Sequence, residues 1–183
     1  MKKILILAWA IVSVTFTSCL SAKNDFRFIA VEKQPNPPAL VTEIPVVEYR
    51  DPGIKYEVES MYLHNLHVSY DKTASQQFAV RVLSEASYAQ MKIKLPAGTF
   101  ECLVNECASD PNHAAFYVCI DNEEFRVYPS NPPTGSWELT RRAPVYFTID
   151  EPRTILVTIQ PNSERKPGST GMLLDYIQFI KYR

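Results

Sequence analysis

Short alternating segments separated by turn residues constrain this chain more than any other feature of its sequence. In the stretch AQMKIKL, Met91, Ile93 and Leu95 alternate with Lys92 and Lys94, a period of two that is typical of a half-buried strand. Turn-forming Pro, Gly, Asn and Asp residues separate the runs, and no stretch of ten or more residues shows a helical period. We predict strands at 54–60, 78–83, 89–95, 99–105, 114–120, 124–128, 143–149, 153–160 and 172–182.

This pattern predicts an all-β fold from residue 54 to residue 183. Roughly 130 residues with some nine short strands are enough to bury one core between two sheets. The sequence contains no internal repeat. We therefore expect a single β-sandwich.

The N-terminus is typical of an export signal. Lys2 and Lys3 precede an apolar run from residue 4 to residue 16, which is too short to cross a membrane. Phe16-Thr17-Ser18-Cys19 resembles a bacterial lipobox, which implies that Cys19 becomes the first mature residue and carries a lipid. The alternative is an ordinary secretory signal that happens to end near a cysteine. In both cases residues 1–18 form a signal peptide outside the fold.

Residues 19–53 differ from the rest of the chain in their proline content. Five of the 14 prolines fall here, and prolines at this density favour extended backbone without internal hydrogen bonds. We expect a tether between Cys19 and the sandwich. The segments 26–31 and 44–49 are apolar enough to dock as edge strands, so part of the tether could be ordered.

Charge and cysteine content exclude some classes of function. The chain has 19 Lys and Arg residues, of which Lys2 and Lys3 are lost with the signal peptide, leaving 17 against 20 acidic residues. This balance offers no clustered basic face for nucleic acid. Three mature cysteines cannot all pair within one chain. We expect Cys102 and Cys119 to be buried free thiols, with a disulfide bond between two of Cys102, Cys107 and Cys119 as the alternative.

One acidic residue conflicts with the final strand. Because side chains alternate along a strand, Asp175 should share a face with Leu173, Ile177 and Phe179, and that face is expected to be buried. A lone buried carboxylate costs several kcal/mol unless it is paired, hydrogen-bonded or bound to a cation. The sequence therefore predicts a partner for Asp175.

Four segments in order resemble one family. These are YEVES at 56–60, MKIKLPAGTFECLVNECAS at 91–109, PTGSWE at 133–138 and GMLLDYIQF at 171–179. Together they resemble carbohydrate-binding modules of families 6 and 35, over roughly residues 54–183. The resemblance implies a jelly-roll sandwich of the galactose-binding-like type.

The resemblance also implies a structural calcium ion between the first strand and the last. Its acidic positions fall on Glu57, Glu59 and Asp175. The residues agree with this, because Glu57 and Glu59 would project from one face of a strand and calcium prefers six to eight oxygen ligands. Without a cation, we expect Glu57 and Glu59 on a solvated face and Asp175 capping a loop amide.

A ligand site is implied at one end of the sandwich. Sugars bind by stacking on aromatic side chains beside polar groups, and Trp137 follows a Pro-rich loop where the family has a cleft tryptophan. Tyr88 would face it across the cleft. The loop PNSERKPGSTG offers Asn162, Arg165 and Lys166 as polar contacts, or forms a solvated charged loop. The family's asparagine before the last strand is absent, since Thr170, Gly171 and Met172 occupy that place.

The sequence contains no Gly-x-Ser-x-Gly elbow and no His-Glu-x-x-His helix, and we expect no enzyme activity. The resemblance implies a non-catalytic carbohydrate-binding lipoprotein. It would hold a polysaccharide or oligosaccharide at the cell envelope, on the periplasmic or surface face of the outer membrane, and reach the membrane only through its lipid. The alternative is a structural or accessory lipoprotein that docks a protein partner in an envelope complex.

Overall fold

The structure is a computed structural model, and it describes residues 43–50, 53–82, 86–108, 115–128, 130–161 and 172–182. Cys19 and the segment 26–31 lie outside these ranges. Within them the chain forms thirteen strands and two short 3-10 turns. The strands are β1 (Val46–Glu48), β2 (Tyr56–Glu57), β3 (Tyr62–His64), β4 (His67–Tyr70), β5 (Phe78–Val82), β6 (Tyr88–Leu95), β7 (Gly98–Cys107), β8 (Phe116–Ile120), β9 (Glu123–Val127), β10 (Glu138–Leu139), β11 (Val145–Ile149), β12 (Arg153–Pro161) and β13 (Met172–Tyr182). None of the helical turns in the described part of the chain is long and apolar enough to cross a membrane.

The first sheet has the strand order β1-β6-β12-β8-β9. β3 and β1 share one edge of β6: β3 pairs with residues 88–90, and β1 pairs with residues 92–94. β1 runs parallel to β6, whereas β12, β8 and β9 are antiparallel to their neighbours. β1 lies inside the segment 44–49, whose apolar residues suggested an edge strand.

The second sheet has the strand order β10-β7-β13-β5-β4. β10 and β11 share one edge of β7, and β2 and β5 share one edge of β13. β7 and β13 form the longest ladder, from Leu173 opposite Cys107 to Tyr182 opposite Thr99. The candidate site residues lie on this ladder or on the strands next to it.

The core lies between the two sheets. Met91, Ile93 and Leu95 face it from β6, as the alternation in AQMKIKL predicts. Phe100, Phe116 and Phe179 are among its largest fully buried side chains, and burial of such a side chain is worth about 1.5–3 kcal/mol relative to exposure. Phe147 packs on both Phe100 and Phe179, with ring centroids 5.8 and 6.3 Å apart.

The sandwich has two distinct ends, which the strand registers define. We call the end at Tyr88, Cys107, Pro161 and Met172 the loop end, because strands of both sheets begin or finish there and long connections join them. We call the other end, at the turn between Leu95 and Gly98, the hairpin end. Arg153 and Tyr182 also lie there, since they pair with Leu95 and Thr99.

All nine predicted strands overlap a strand of the structure, but the first prediction is only partly right. Strand pairing ends at Glu57, and Val58–Ser60 form a 3-10 turn. Val58 lies in this turn and enters the core with no exposed surface. Glu57 and Glu59 therefore do not project as neighbours on one strand face.

The three cysteines of the sandwich are free thiols. Cys102 and Cys119 are buried, as expected, and Cys107 is half-buried. The alternative of a disulfide bond between two of them is wrong. Burial raises the pKa of Cys102 to about 12, which makes its thiol unreactive near neutral pH.

Candidate functional site

Asp175 is buried, but on the face of β13 that points away from the core. Leu174, Ile177 and Phe179 belong to the core, and a bulge between Leu174 and Ile177 adds one residue to the strand. A bulge reverses the alternation that follows it. The expectation that Asp175 shares the core face with Ile177 and Phe179 is therefore wrong, although Asp175 is only 2 % exposed.

Hydrogen bonds account for one oxygen of this carboxylate. Oδ2 of Asp175 accepts from the side-chain amide of Asn105 at 2.9 Å and from the backbone N–H of Ser75 at 3.1 Å. Ser75 lies in the connection between β4 and β5, which crosses the outer side of the second sheet. The hydroxyl of Ser75 donates to Oε1 of Glu57 at 2.8 Å. Ser75 thus links the first of the predicted calcium ligands to the last.

The electrostatics of the three acids show that they lie near one another. Burial raises the pKa of Glu57, and the negative charge of Asp175 adds to the effect. Burial also raises the pKa of Glu59, and the charges of Glu57 and Asp175 again add to it. Like charges at short range destabilise the ionised forms of one another.

Each of the three acids has an oxygen whose hydrogen-bonding capacity is unused. Oε2 of Glu57, Oε2 of Glu59 and Oδ1 of Asp175 are buried and have no hydrogen-bond partner in the described part of the chain. Such oxygens are costly unless a cation or proton satisfies them, and carboxylate oxygens are the ligand type that a hard cation prefers. The oxygens do not yet converge, since no three His, Cys, Asp or Glu side chains of the described ranges are placed to hold a metal. Side-chain rotation of Glu57 and Glu59 would have to bring them together.

Trp137 lies at the loop end of the second sheet. Glu138 and Leu139 pair with Glu106 and Asn105, which places Trp137 beside the end of β7. Its indole N–H donates a hydrogen bond to Oγ1 of Thr73 at 3.0 Å. The loop before it is tied to the sheet, because the N–H of Gly135 donates to the carbonyl of Ala108 at 2.9 Å. The half-buried indole is therefore held by Thr73 in the β4–β5 connection, and the loop that precedes it is held at the end of β7.

Tyr88 lies at the same end but in the other sheet. Its ring stacks on His64, with centroids 4.7 Å apart, and contacts Tyr62 at 6.3 Å. No ring contact joins Tyr88 and Trp137 among the described residues. Asn162, Arg165 and Lys166 lie outside those residues.

A buried ion pair below Trp137 was not identified from the sequence. Glu106 is fully buried, and Arg142 donates a hydrogen bond to its Oε1. Arg142 also pairs with Glu138 at 3.3 Å and donates from Nε to the carbonyl of Tyr128 at 2.6 Å. Arg142 thus connects Tyr128, which precedes the loop of Trp137, to Glu138, which follows Trp137. The one signal in the sequence was the position of Glu106 in FECLVNEC, where strand alternation places it on the same face as the apolar Cys102 and Val104.

The electrostatic environment of Glu106 is unusual. Burial raises the pKa of Glu106 to about 7, the Arg142 guanidinium opposes the shift, and the Glu138 charge adds to it. Its second oxygen, Oε2, has no hydrogen-bond partner among the described residues. The loop end therefore contains a buried carboxyl group that changes its protonation near neutral pH.

Solved structures resemble this chain, whereas no protein-family model and no curated protein matches it. The C-terminal CBM6 of the marine laminarinase LamC from Zobellia galactanivorans is 15 % identical, with a TM-score of 0.52, and the match covers 70 % of this chain and 98 % of that one. The GH26-CBM35 β-(1,4)-mannanase of Podospora anserina is 14 % identical, with a TM-score of 0.57, and the match covers 73 % of this chain and 28 % of that one. An exo-β-1,3-galactanase of Phanerochaete chrysosporium, solved with β-1,3-galactotriose, is 14 % identical, with a TM-score of 0.54 and coverage of 72 % and 29 %.

These likenesses confirm the predicted fold class, a jelly-roll β-sandwich, and the resemblance to modules of families 6 and 35 at the level of the fold. The chain matches nearly the whole length of the isolated module. It spans less than a third of the mannanase and galactanase chains.

Proposed function

We propose that this chain is a non-catalytic module that binds a polysaccharide or oligosaccharide at its loop end. The observation that carries the proposal is the fixed position of Trp137, whose indole N–H is bound to Thr73 beside the end of β7. The likeness to a separately solved carbohydrate-binding module supports the proposal, because the match covers nearly the whole length of that module.

Trp137 would bind the sugar by stacking. A six-membered sugar ring presents C–H groups on one face, and an aromatic ring that is already oriented loses little entropy when it packs against them. Tyr88, Asn162, Arg165 and Lys166 would add contacts around the same end. A few such contacts give affinities on the order of 10⁻³ to 10⁻⁵ M.

A calcium ion at Glu57, Glu59 and Asp175 would have a structural role. It would supply positive charge to three crowded carboxylates and join β2 and its 3-10 turn to β13. The buried oxygens without hydrogen bonds support this assignment. The site lies on the outer side of the second sheet, and its ligands are not part of the proposed sugar contact.

The module would be held at the cell envelope by a lipid on Cys19. In cells, Cys19→Ala should move the protein from the membrane fraction to the soluble fraction and abolish incorporation of labelled fatty acid. Equal labelling of the wild type and the variant would reject the anchor without affecting the glycan proposal.

Tryptophan fluorescence offers a direct test of the loop end. The sequence has two tryptophans, Trp9 in the signal peptide and Trp137, so a protein of residues 20–183 reports on Trp137 alone. A panel of β-linked galactan, mannan and laminarin oligosaccharides should include one that changes its emission with saturation. Trp137→Ala should abolish binding of that oligosaccharide in calorimetry while the melting temperature stays within a few degrees.

The matched control is Tyr70→Ala, which removes a side chain that is 67 % exposed from strand β4. This variant should bind the oligosaccharide as the wild type does. A Trp137→Ala variant that loses about 3 kcal/mol or more of unfolding free energy would identify Trp137 as a packing residue. No fluorescence change with any glycan of the panel would count against sugar binding at this end.

One observation favours the second candidate, an accessory lipoprotein that docks a protein partner. β4 is the edge strand of the second sheet, and Val68, Tyr70 and Phe78 beside this edge are 47 %, 67 % and 44 % exposed. Exposed strand edges with apolar side chains pair readily with a strand of another chain. Loss of partner capture in Tyr70→Ala but not in Trp137→Ala would support this candidate.

A further inference from the structure

A short relay of hydrogen bonds joins Trp137 to an acidic residue of the β4–β5 connection. The indole N–H of Trp137 donates to Oγ1 of Thr73 at 3.0 Å. The hydroxyl of Thr73 donates in turn to Oδ1 of Asp71 at 2.6 Å, and the backbone N–H of Thr73 donates to the same oxygen at 2.9 Å. Because a hydroxyl has one proton and two lone pairs, Thr73 can serve both partners at once. Two hydrogen bonds therefore separate the indole from a carboxylate.

Asp71 is fixed by its backbone and is ionised. Its N–H donates to the carbonyl of Gln77 at 2.9 Å, and its carbonyl accepts from the N–H of Ala74 at 3.1 Å. The hydrogen bonds from Thr73 lower the pKa of Asp71, and the positive charge of Lys72 adds to the effect. Lys72 is exposed, so its attraction is weak. The loop end therefore presents a fixed negative charge at neutral pH.

Cys107 shows independently that Asp71 lies near the end of β7. Burial raises the pKa of the Cys107 thiol, the negative charges of three acids add to the shift, and the positive charge of Arg81 opposes it. The three acids are Glu106, Asp71 and Glu138. The charges that act on this thiol are therefore mostly negative. The same strand end pairs with the segment that follows Trp137.

One oxygen of Asp71 is available to a ligand. Among the described residues only Thr73 donates hydrogen bonds to this carboxylate, and both reach Oδ1. Asp71 is half-buried and Thr73 is exposed, so solvent reaches the relay. An ionised carboxylate can only accept hydrogen bonds. A ligand that contacts Oδ2 must therefore present donors, which the hydroxyls of a neutral sugar do and a carboxylate or sulfate group does not.

We propose that Asp71 is a specificity-determining residue beside Trp137, so that the loop end takes a neutral, hydroxyl-rich saccharide and rejects an acidic one. The inference rests on the sugar contact proposed for Trp137. While the sugar ring stacks on the indole, one of its hydroxyls would donate to Oδ2 of Asp71. An acidic group in the same place would meet a like charge, which discriminates against the wrong ligand.

Calorimetry on residues 20–183 in calcium tests the proposal with matched probes. The neutral probes are the trisaccharides of β-1,3-galactan, β-1,4-mannan and laminarin, and each is compared with the same trisaccharide after its primary alcohols are oxidised to carboxylates. The neutral form that binds best should bind at least tenfold more tightly than its oxidised form. High salt should reduce this ratio, because it screens exposed charges. An oxidised form that binds as tightly as the neutral form overturns the proposal.

Two variants of Asp71 separate charge from structure. Asp71→Asn keeps an oxygen for Thr73 and removes the charge, so it should bind the neutral trisaccharide about tenfold more weakly and lose most of the preference over the oxidised form. Asp71→Glu keeps the charge and should keep that preference. Asp150→Asn changes an exposed acid at the hairpin end and should bind both forms as the wild type does. Equal weakening of both forms in Asp71→Asn would assign Asp71 a purely structural role and overturn the proposal.

This inference and the proposed function fail in different ways. If Asp71→Asn binds both forms as the wild type does while Trp137→Ala binds neither, the role of Asp71 is wrong and the sugar contact of Trp137 stands. If the wild type binds no glycan, or Trp137→Ala binds as the wild type does, the proposed contact is wrong and the role of Asp71 is overturned with it.

Discussion

The side-chain amide of Asn105 donates a hydrogen bond to Oδ2 of Asp175 at 2.9 Å, and the other oxygen of Asp175 is buried with no hydrogen-bond partner among the described residues. A cation at that oxygen would bind the folded state only. It would stabilise the fold by about 2.7 kcal/mol at a hundredfold excess over its Kd. We expect calcium to raise the melting temperature of the wild type and a chelator to lower it, as measured by calorimetry.

Asp175→Asn should melt at or above the wild type without calcium and below it with calcium. The amide removes the repulsion from Glu57 and Glu59, so in chelator the variant should melt at or above the wild type. In calcium it should melt below the wild type, because a ligand is missing. Glu48→Gln, at an exposed acid on β1, is the control and should respond to calcium as the wild type does. A calcium response of the same size in Asp175→Asn would rule out this site.

The hydrogen bond from Trp137 to Thr73 should affect sugar binding more than stability. Thr73→Val keeps the shape of the side chain and removes the acceptor, which costs about 0.5–1.5 kcal/mol for a typical hydrogen bond. We expect a several-fold loss of affinity for the loop-end glycan. Ser69→Ala removes a side-chain hydrogen bond on the preceding strand, β4. This control variant should leave the affinity unchanged. An unaffected Thr73→Val variant would show that the indole needs no such positioning.

The raised pKa of Glu106 predicts a specific pH dependence. Because its folded-state pKa is about 7 and its usual value is 4.5, the folded protein binds this proton more tightly than the unfolded chain. Its contribution to stability is full below about pH 4.5 and is lost as the pH rises through about 7. The effect of a shift of this size is on the order of 1–3 kcal/mol.

Glu106→Gln isolates this contribution, because glutamine does not titrate. The unfolding free energy of the variant relative to the wild type should increase as the pH rises from about 4.5 to above 7. Urea denaturation at several pH values measures this difference. Parallel stability curves for the two proteins would show that Glu106 keeps one protonation state throughout.

Gly98 and Gly53 form a matched pair for testing the contact between Gly98 and Lys181. Both have a positive φ, but a Cβ atom meets Lys181 only at Gly98, while nothing lies within 4 Å at Gly53. Alanine at either position should cost about 1–3 kcal/mol from backbone strain, measured by denaturation. Gly98→Ala should cost more unfolding free energy than Gly53→Ala, because its Cβ atom also displaces the stem of Lys181. Equal losses in the two variants would show that Lys181 moves aside at no cost.

The sequence predicted the sheets well because their strands follow one rule. The alternation of AQMKIKL and RTILVTIQ matches β6 and β12 closely, since each has one face on a shared core. The short strands β3, β4 and β10 were not predicted. They have two to four residues, and such strands form because a neighbouring strand is already in place, which a local pattern does not record.

The candidate sites were less predictable because they depend on contacts between distant residues. The acid pattern identified Glu57, Glu59 and Asp175, yet the bulge in β13 and the role of Ser75 need the folded chain. The ion pair of Glu106 and Arg142 joins residues 36 positions apart. A groove at the hairpin end is lined by four segments, none of which carries a motif of its own.

The direction of β1 determines how the chain enters the sandwich. β1 runs parallel to β6, from Val46 opposite Lys92 to Glu48 opposite Lys94. The chain therefore runs from the side of the loop end toward the hairpin end, where Arg50 lies. Glu43 follows Cys19 by 24 residues, and a fully extended chain of that length spans at most about 80 Å. A chain of that length is longer than β13, whose 11 residues span about 37 Å. A lipid at Cys19 would therefore leave the loop end free to face toward the membrane or away from it.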